Sequence, residues 1–362
     1  MLFGYKYISH DIEKMQKYID FLFLKIWCKA EGEFNIEKLN GCPDLKQIVL
    51  DVKDNSRIKK DHLQEPIKKI YDSFKNFNKE ETEELENWYI KNNSIEELCN
   101  NSNNYTPLTY SDLKKFNEVI ADDLKEFFIN LYENVIDLTD VKNKIGSIDH
   151  HYNEFTKEND EELCPFCGLH DLKGPYSSKR EAYDHYLPKA TYAFSSINFK
   201  NLAPMCHECN SSYKLKTDPL YENRMPNRDP LHSPERKRRK AFYPYNTDPT
   251  NIKIEVHLLN NDIPSITPEE IELEITSGDF QEEVETWKEI FGIEERFKDI
   301  LRKKNKGKAW LQQIIEESAN CNISPMQLLN AKKKYAETNR WGEANFLRIP
   351  FLEACEKKKI IK

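Results

Sequence analysis

The sequence predicts an α+β protein that is mostly helical, and three observations support this fold class. Apolar residues recur at spacings of three and four before about residue 157 and again after Phe280, as they do on one face of a helix. Two tight cysteine pairs lie in the middle of the chain, and two short segments after residue 246 alternate apolar with polar residues. A chain of 362 residues has room for two or three modules, and we place them at 1–157, 158–245 and 246–362.

The N-terminal region is predicted to be helical, and its clearest helix covers Tyr110–Ile136. Thr109, followed three residues later by Asp112, has the residue types of a capped helix start. The apolar helix faces are most simply explained as hydrophobic core, and a docking surface for a partner is the alternative. Three shorter helices are also predicted, over residues 11–29, 57–74 and 80–90. The Asn-rich stretch 100–104 is predicted to be a loop.

The C-terminal region is predicted to contain a small strand pair followed by helices. Apolar and polar residues alternate over 252–258 and again over 271–275, which is the period of half-buried strands. We expect these two strands to pair as a hairpin with a long connection. The pattern is helical again from Phe280, and Ser324 before Pro325 has the residue types of a helix cap and a first-turn proline.

The net charge of -8 is unevenly distributed along the chain. Residues 164–240 contain 14 Lys and Arg against 8 Asp and Glu, a net charge of +6, whereas the remainder contains 40 against 54, a net charge of -14. A locally basic segment is where a phosphate backbone would bind. The first ten residues lack the apolar segment of a signal peptide, and the apolar run Phe21–Trp27 is too short to cross a bilayer. We therefore expect a soluble, cytoplasmic protein without a membrane partner.

The central segment contains two cysteine pairs with the spacing of zinc knuckles, Cys164 with Cys167 and Cys206 with Cys209. Together they supply the four ligands of a tetrahedral structural zinc. A closed set of four ligands leaves no position for a catalytic water, so we expect this zinc to tie the segment together. A redox dithiol is the alternative for either pair alone, and the presence of both pairs favours metal. The other five cysteines are scattered singly, which favours a reducing compartment.

Four polar residues, Asp184, His185, Asn201 and Asn210, lie in register with the cysteine pairs. Asp184 and His185 begin the sequence Asp-His-Tyr-Leu-Pro-Lys, and Asn201 begins an Asn-Leu turn. Asn210 directly follows the second pair, with Lys214 four residues later. In this order and spacing the segment resembles the HNH endonucleases, the ββα-metal family. The resemblance covers only the central segment, and it implies a zinc-stapled ββα-metal nuclease core.

The resemblance also implies a role for each of these residues. His185 is the expected general base, because an imidazole titrates near neutral pH and can accept a proton from water. Asp184 and Asn210 are the expected ligands of a catalytic Mg²⁺ or Mn²⁺, for which carboxylate and amide oxygens are suitable ligands. Asn201 is expected to brace the loop and orient the base, and Lys214 to contact a phosphate. Side chains alternate along a strand, so Asp184 should face away from His185 unless a bulge or loop redirects it, and the resemblance implies that the strand end twists accordingly.

Further basic residues are candidates for nucleic-acid contacts. Two of them come just before Asp184, and three lie in a basic run within the connector 218–245, which we expect to be an extended arm or a surface loop. Aromatic residues that follow the run are expected to stack on a base, and a solvated run of charge is the alternative. These residues are Lys179, Arg180, Arg236, Arg238 and Arg239, with Phe242, Tyr243 and Tyr245 as the stacking partners.

The sequence therefore predicts a metal-dependent HNH endonuclease that hydrolyses phosphodiester bonds, with DNA favoured over RNA. The Asp-His-Tyr-Leu-Pro-Lys sequence is similar to that of bacterial HNH proteins of anti-phage defence, and this implies a defence effector, with an ATPase subunit as a partner. A restriction or mobile-element nuclease is the alternative among enzymes. Outside the enzymes, the alternative is a non-catalytic, zinc-dependent module that binds nucleic acid or acts as a scaffold.

Overall fold

The computed structural model describes residues 1–55, 60–222 and 237–361. Within these ranges the chain is mostly helical and contains two small antiparallel sheets, which agrees with the predicted α+β class. None of its described helices has the length and apolar content that crossing a bilayer requires.

Helices make up the region before the central segment, and they confirm most of the predicted ones. The helix predicted over 11–29 is a 3-10 turn, an α-helix and a π-helix in succession, Asp11–Glu13, Lys14–Phe21 and Leu22–Trp27. The helix predicted over 57–74 is confirmed from Gln64 onward, and residues 57–59 lie outside the described ranges. The α-helices are α1 (Lys14–Phe21), α2 (Pro43–Asp54), α3 (Gln64–Phe74), α4 (Lys79–Asn93), α5 (Ile95–Cys99), α6 (Tyr110–Phe116), α7 (Glu118–Glu133), α8 (Thr139–Ile145) and α9 (Ile148–Glu158).

The long helix predicted over Tyr110–Ile136 is divided at Asn117, which is a correction to the prediction. Asn117 has an extended backbone, with φ -160° and ψ 115°, and its side chain accepts a hydrogen bond from the amide of Ile120. Asparagine favours this capping geometry over a place inside a helix, because its side chain competes for backbone hydrogen bonds. The capped start at Thr109 is confirmed, since Thr109 and Asp112 form a reciprocal capping box.

Two antiparallel strand pairs form the sheets. In the central segment, β1 (Ala182–His185) pairs with β2 (Leu202–Met205), so that Asp184 lies opposite Ala203 and His185 opposite Leu202. The predicted C-terminal hairpin is confirmed as β3 (Lys253–Leu258) paired with β4 (Ile271–Thr276). A π-helical segment, Cys209–Lys214, follows β2 and the second cysteine pair. The central segment therefore runs strand, strand, helical turn.

Five helices follow the C-terminal hairpin. The predicted start at Ser324 is confirmed, because its side chain caps a helix that has Pro325 in its first turn. The last helix contains Pro350 in its interior. In the described part of the chain these helices are α10 (Gln281–Phe291), α11 (Ile293–Arg302), α12 (Gly307–Asn320), α13 (Pro325–Thr338) and α14 (Asn345–Lys357).

Two hydrophobic clusters form the core, and the central segment lies between them. One contains the buried faces of most helices before the central segment together with Tyr183 of β1, and the other contains the four central cysteines, Tyr186 and the C-terminal elements. The first residues of the chain belong to the second cluster, since the hydroxyl of Tyr5 donates to the carbonyl of Pro204 at 2.8 Å. The central segment thus contributes residues to both clusters.

The connector after the second cysteine pair does not end as the predicted surface arm. Tyr221 and Arg238 form an antiparallel bridge, and the amide of Ala241 donates to the carbonyl of Cys99 at 2.9 Å. The three aromatic residues expected to stack on a base are buried in the core instead, namely Phe242, Tyr243 and Tyr245. They are buried because α5 and α10 pack against the end of the connector, and this could not be read from local sequence.

Candidate functional site

The four predicted zinc ligands form one buried cluster. The sulfurs of Cys164, Cys167, Cys206 and Cys209 all lie within 4.8 Å of one another, and those of Cys167 and Cys206 are 3.9 Å apart. In a zinc tetrahedron with Zn–S bonds of about 2.3 Å, neighbouring sulfurs are roughly 3.8 Å apart. None of the nine cysteines, all of them in described ranges, forms a disulfide. The residues therefore fit a structural zinc.

Local backbone geometry forms the first knuckle. The amide of Gly168 donates to the carbonyl of Cys164 at 2.7 Å, and Gly168 has φ +67°, a conformation that favours glycine. A Cβ at this position would lie 2.3 Å from the side chain of Leu2, so glycine also permits the N-terminal residues to pack against the knuckle.

Neighbouring groups favour a thiolate at Cys167. Hydrogen bonds with Cys164 and the other two cysteines hold the pKa of Cys167 well below its usual value, and the charge of Arg296 acts in the same direction. The amide of Leu169 also donates to the sulfur of Cys167 at 3.4 Å. The two nearby histidines do not belong to the cluster, because His170 is paired with Glu208 and His207 is exposed.

His185 faces the N-terminal helices from the end of β1. Its Nε2 lies 2.8 Å from the carbonyl oxygen of Ser196. Its ring packs edge to face against the ring of Tyr132 on α7, with 4.4 Å between the ring centroids. A carbonyl oxygen can only accept, so Nε2 carries the proton and Nδ1 carries a lone pair. Burial lowers the pKa of His185 to about 3, and the side chain is only 9% exposed. The imidazole is therefore neutral at physiological pH, with Nδ1 able to accept a proton.

Asp184 meets Lys214, whereas the partners of His185 are Ser196 and Tyr132. Oδ2 of Asp184 and Nζ of Lys214 are 2.9 Å apart, and Nζ also donates to the carbonyl of His185 at 3.1 Å. Burial raises the pKa of Asp184, and the charge of Lys214 opposes this shift. Because Lys214 is fully buried, the prediction that it contacts a phosphate is corrected: its ammonium neutralises Asp184 inside the protein.

Asn201 joins the two ends of the loop between β1 and β2. Its side-chain oxygen accepts from the amide of Leu187 at 2.8 Å, and its side-chain nitrogen donates to the carbonyls of Leu187 at 3.0 Å and Ser195 at 3.3 Å. Asn201 is completely buried. Ser195 directly precedes Ser196, whose carbonyl holds His185, so Asn201 supports the backbone that orients the imidazole.

Asn210 lies at the start of the π-helical segment, four residues before Lys214. The amide of Leu215 donates to the carbonyl of Asn210 at 3.1 Å, which closes one wide π turn, and Asn210 is half-buried. Such turns often occur at functional sites, because they change the direction in which a helix presents its side chains. Residues four apart share a face of so wide a turn, so Asn210 lies on the same side of the segment as Lys214.

Two predicted phosphate contacts have internal partners, and the one at Arg239 is corrected because this residue is buried. Arg239 is 5% exposed and pairs with Glu289 at 2.6 Å, with its Nε donating to a backbone carbonyl. Arg238 donates to the carbonyls of Leu220 at 3.2 Å and Leu98 at 2.9 Å. Both arginines fasten the connector to neighbouring elements, because a guanidinium offers several donors that suit carbonyl oxygens.

The other three predicted phosphate contacts, at Lys179, Arg180 and Arg236, stay predictions. Lys179 is exposed, and Arg180 is half-buried, with its Nε 2.7 Å from a carboxylate oxygen of the exposed Asp149. Arg236 lies outside the described residues.

The sequence did not identify Tyr132, Ser196 or Arg296 as part of this site. Tyr132 was assigned only to an apolar helix face, and Ser196 acts through its carbonyl, which every residue has. Arg296 donates to the sulfur of Cys209 at 3.3 Å from a helix that lies 87 positions further along the chain. No local signal marks such contacts.

A scan against models of protein families and searches of curated proteins and of solved structures found no match to this chain.

Proposed function

We propose that this protein is a metal-dependent endonuclease of the HNH type that hydrolyses phosphodiester bonds in nucleic acid, with DNA favoured over RNA. The observation that carries the proposal is the arrangement of the central segment. His185 ends β1, Asn201 leads into β2, Asn210 is the second residue of the π-helical segment, and the cysteine cluster joins the two ends of this unit. That order of elements is the one the resemblance implies.

In this proposal His185 is the general base. Nε2 is held by the carbonyl of Ser196, so Nδ1 receives the proton of the attacking water. Asn201 is a positioning residue, because it fastens the loop that contains Ser196 and so limits rotation of the imidazole. The cysteine cluster holds the strands and the π-helical segment together, which orients the groups that act on the phosphate.

Asp184 and Asn210 would hold the catalytic Mg²⁺ or Mn²⁺. A carboxylate and an amide oxygen are the hard ligands that these ions prefer, and Asp184 is buried beside the π-helical segment that contains Asn210. The ion would neutralise charge that develops on the phosphate and on the leaving oxygen. Lys214, which pairs with Asp184, holds a positive charge at the same carboxylate.

The alternative is a non-catalytic zinc module, and one observation favours it. His185 and Asp184 are only 9% and 7% exposed, and the ring of Tyr132 lies against the imidazole. The neighbouring Glu133 pairs with Lys189 at 2.8 Å and so fastens the end of α7 to the loop after β1. Under the nuclease proposal this end of α7 must move before a phosphate can reach Nδ1.

The cellular role we propose is that of an anti-phage defence effector, with an ATPase subunit as a partner. Its support is the similarity of residues 184–189 to bacterial defence nucleases, together with the covered position of His185, which suits an enzyme that is activated by a partner. A restriction or mobile-element nuclease fits the same chemistry.

A cleavage assay tests the proposal. Purified protein is incubated with supercoiled plasmid, linear DNA and total RNA, in Mg²⁺, in Mn²⁺ and in EDTA. The His185→Ala variant should lose about 100-fold to 10,000-fold in rate. His257→Ala is the matched control, because His257 lies on β3 and is 43% exposed at its side chain.

Glu133→Gln, which weakens the ion pair with Lys189, should raise the rate if the end of α7 restricts access. Cleavage that needs both the added metal and His185 supports the nuclease and identifies its substrate. A folded, zinc-loaded protein that binds nucleic acid but does not cut it, even as Glu133→Gln, supports the scaffold instead.

A further inference from the structure

Arg296 joins the C-terminal helices to the cysteine cluster. This residue of α11 is 5% exposed, and its Nη1 donates to the sulfur of Cys209 at 3.3 Å and to the carbonyl of Phe291 at 3.2 Å. Its guanidinium also lies over the ring of Tyr213, with Cζ 4.4 Å from the ring centroid, and its Nη2 is 3.8 Å from a carboxylate oxygen of Glu208. All of these partners except Phe291 belong to the second knuckle or to the π-helical segment after it.

Charge explains why an arginine suits this position. Four thiolates and one Zn²⁺ have a net charge of about -2, which is costly to bury without a compensating cation. A guanidinium that donates an N–H to a ligand sulfur reduces this excess and makes the sulfur a weaker electron donor to the metal. Arg296 is the one arginine or lysine in the described ranges for which a hydrogen bond to a cysteine sulfur is found.

The corner between α10 and α11 packs against both knuckles. The indole nitrogen of Trp287 on α10 donates to the carbonyl of Phe166, inside the first knuckle, at 2.7 Å. Gly292, between the two helices, has φ +55°, and a Cβ there would lie 2.4 Å from the ring of Tyr213. Glycine therefore permits the close approach that brings Arg296 to Cys209.

We propose that Arg296 is a positioning residue of the zinc site. Arg296 helps to retain the metal by neutralising the charge of the cysteine thiolates, and it makes the docking of α11 depend on bound zinc. When zinc is lost, Cys209 is no longer held against the guanidinium, and a buried cation loses its main partner. The inference rests on the zinc of the proposed function but not on the cleavage reaction. It is tested without nucleic acid, so its failure would leave the nuclease proposal standing.

The first test measures the release of zinc from the intact, zinc-loaded chain to an excess of a chelating dye. Arg296→Met keeps most of the side-chain volume and removes the charge and the donors. Arg348→Met is the matched control, because Arg348 is also buried, at 3% exposed, and contacts Glu343 and Gln313 instead of a cysteine. We expect Arg296→Met to release zinc at least about tenfold faster than the wild type and the control. Equal rates for the two variants would overturn the proposal.

Arg296→Lys serves if Arg296→Met does not fold. Lysine keeps the charge but has neither the second nitrogen, which lies 3.8 Å from a carboxylate oxygen of Glu208, nor the planar group that lies over the ring of Tyr213. We expect it to release zinc faster than the wild type, and a wild-type rate would contradict the proposal.

A spectroscopic readout separates the electrostatic role from a packing role. With Co²⁺ in place of zinc, loss of the N–H donor at Cys209 should move the sulfur-to-cobalt charge-transfer bands of Arg296→Met to lower energy. Arg348→Met should leave the bands in place. A spectrum of Arg296→Met that matches the wild type would show that Arg296 only fills space.

Removal of zinc should also increase amide hydrogen exchange in α11 more than in α4, which belongs to the other hydrophobic cluster. Equal changes in the two helices would contradict zinc-dependent docking.

Discussion

Replacing Lys214 by Met tests whether the buried pair with Asp184 has the electrostatic role that its position indicates. The side chain of Lys214 is fully buried and that of Asp184 is 8% exposed, with 2.9 Å between Nζ and Oδ2. The substitution keeps an unbranched side chain of similar length, so the loss of the charge dominates. It leaves Asp184 as a buried carboxylate without its ammonium and removes the donor to the carbonyl of His185.

The expected loss of stability is large. Breaking a buried ion pair by removing one partner costs about 3–5 kcal/mol, because the remaining charge stays desolvated. An exposed ion pair contributes at most about 1 kcal/mol, so the two cases are easily distinguished. Burial raises the pKa of Asp184 even when Lys214 is present, so the carboxyl of the variant should bind a proton readily.

Urea unfolding followed by tryptophan fluorescence, with zinc in excess, measures the free energy of unfolding of four proteins: wild type, Lys214→Met, Asp184→Asn and the double variant. The double variant removes both charges, so it should be more stable than the sum of the single losses implies, by roughly 1–3 kcal/mol. Additive losses would refute the reasoning.

The pH dependence of Lys214→Met has a definite sign. In this variant the folded pKa of Asp184 is raised above its unfolded value, so the native state binds a proton that the unfolded state lacks. The deficit relative to the wild type should therefore shrink as pH falls from 7 to 5. A deficit that does not change with pH would mean that Asp184 is not the group left unpaired.

Two further predictions follow from the same region. Burial lowers the pKa of His151 and of His185 to about 3, so between pH 6.5 and 3 the unfolded state binds protons that the native state excludes. Each of these two histidines should therefore lower the free energy of unfolding by about 2 kcal/mol between pH 7 and pH 5. In urea unfolding, His151→Phe should make this loss smaller. An unchanged pH profile would contradict the burial of a neutral His151. Asn201→Ala leaves the amide and the carbonyl of Leu187 without their buried partner, at about 1–3 kcal/mol for each group. If thermal unfolding shows a loss below that of one such group, the loop does not depend on Asn201.

Local patterns predicted the parts of this protein that depend on local geometry. Two cysteines separated by two residues can both approach one point, so the spacing predicted the four-cysteine cluster. Strand alternation predicted β3 and β4. The long helix predicted over Tyr110–Ile136 failed at Asn117, because its side chain caps the start of a new helix.

The basic and aromatic residues of the connector show where local patterns fail. A run of arginines followed by aromatic rings has the composition of a nucleic-acid contact, yet Arg239 pairs with Glu289 and Tyr243 is buried. The composition of a segment shows which charged and aromatic side chains it contains. The residues that pack against those side chains come from distant parts of the chain. In this protein those partners are α5 and α10.

The sequence by itself determined the fold class and the cysteine cluster, because spacing and periodicity act over a few residues, and it supplied the candidate residues of the proposed site. Only the tertiary structure decided that Lys214 neutralises Asp184, that Tyr132 covers His185 and that Arg296 reaches Cys209. Each of these contacts joins groups from separate elements, and the energy of a charge depends on its burial and its neighbours. Both are properties of the packed chain, which no short stretch of sequence contains.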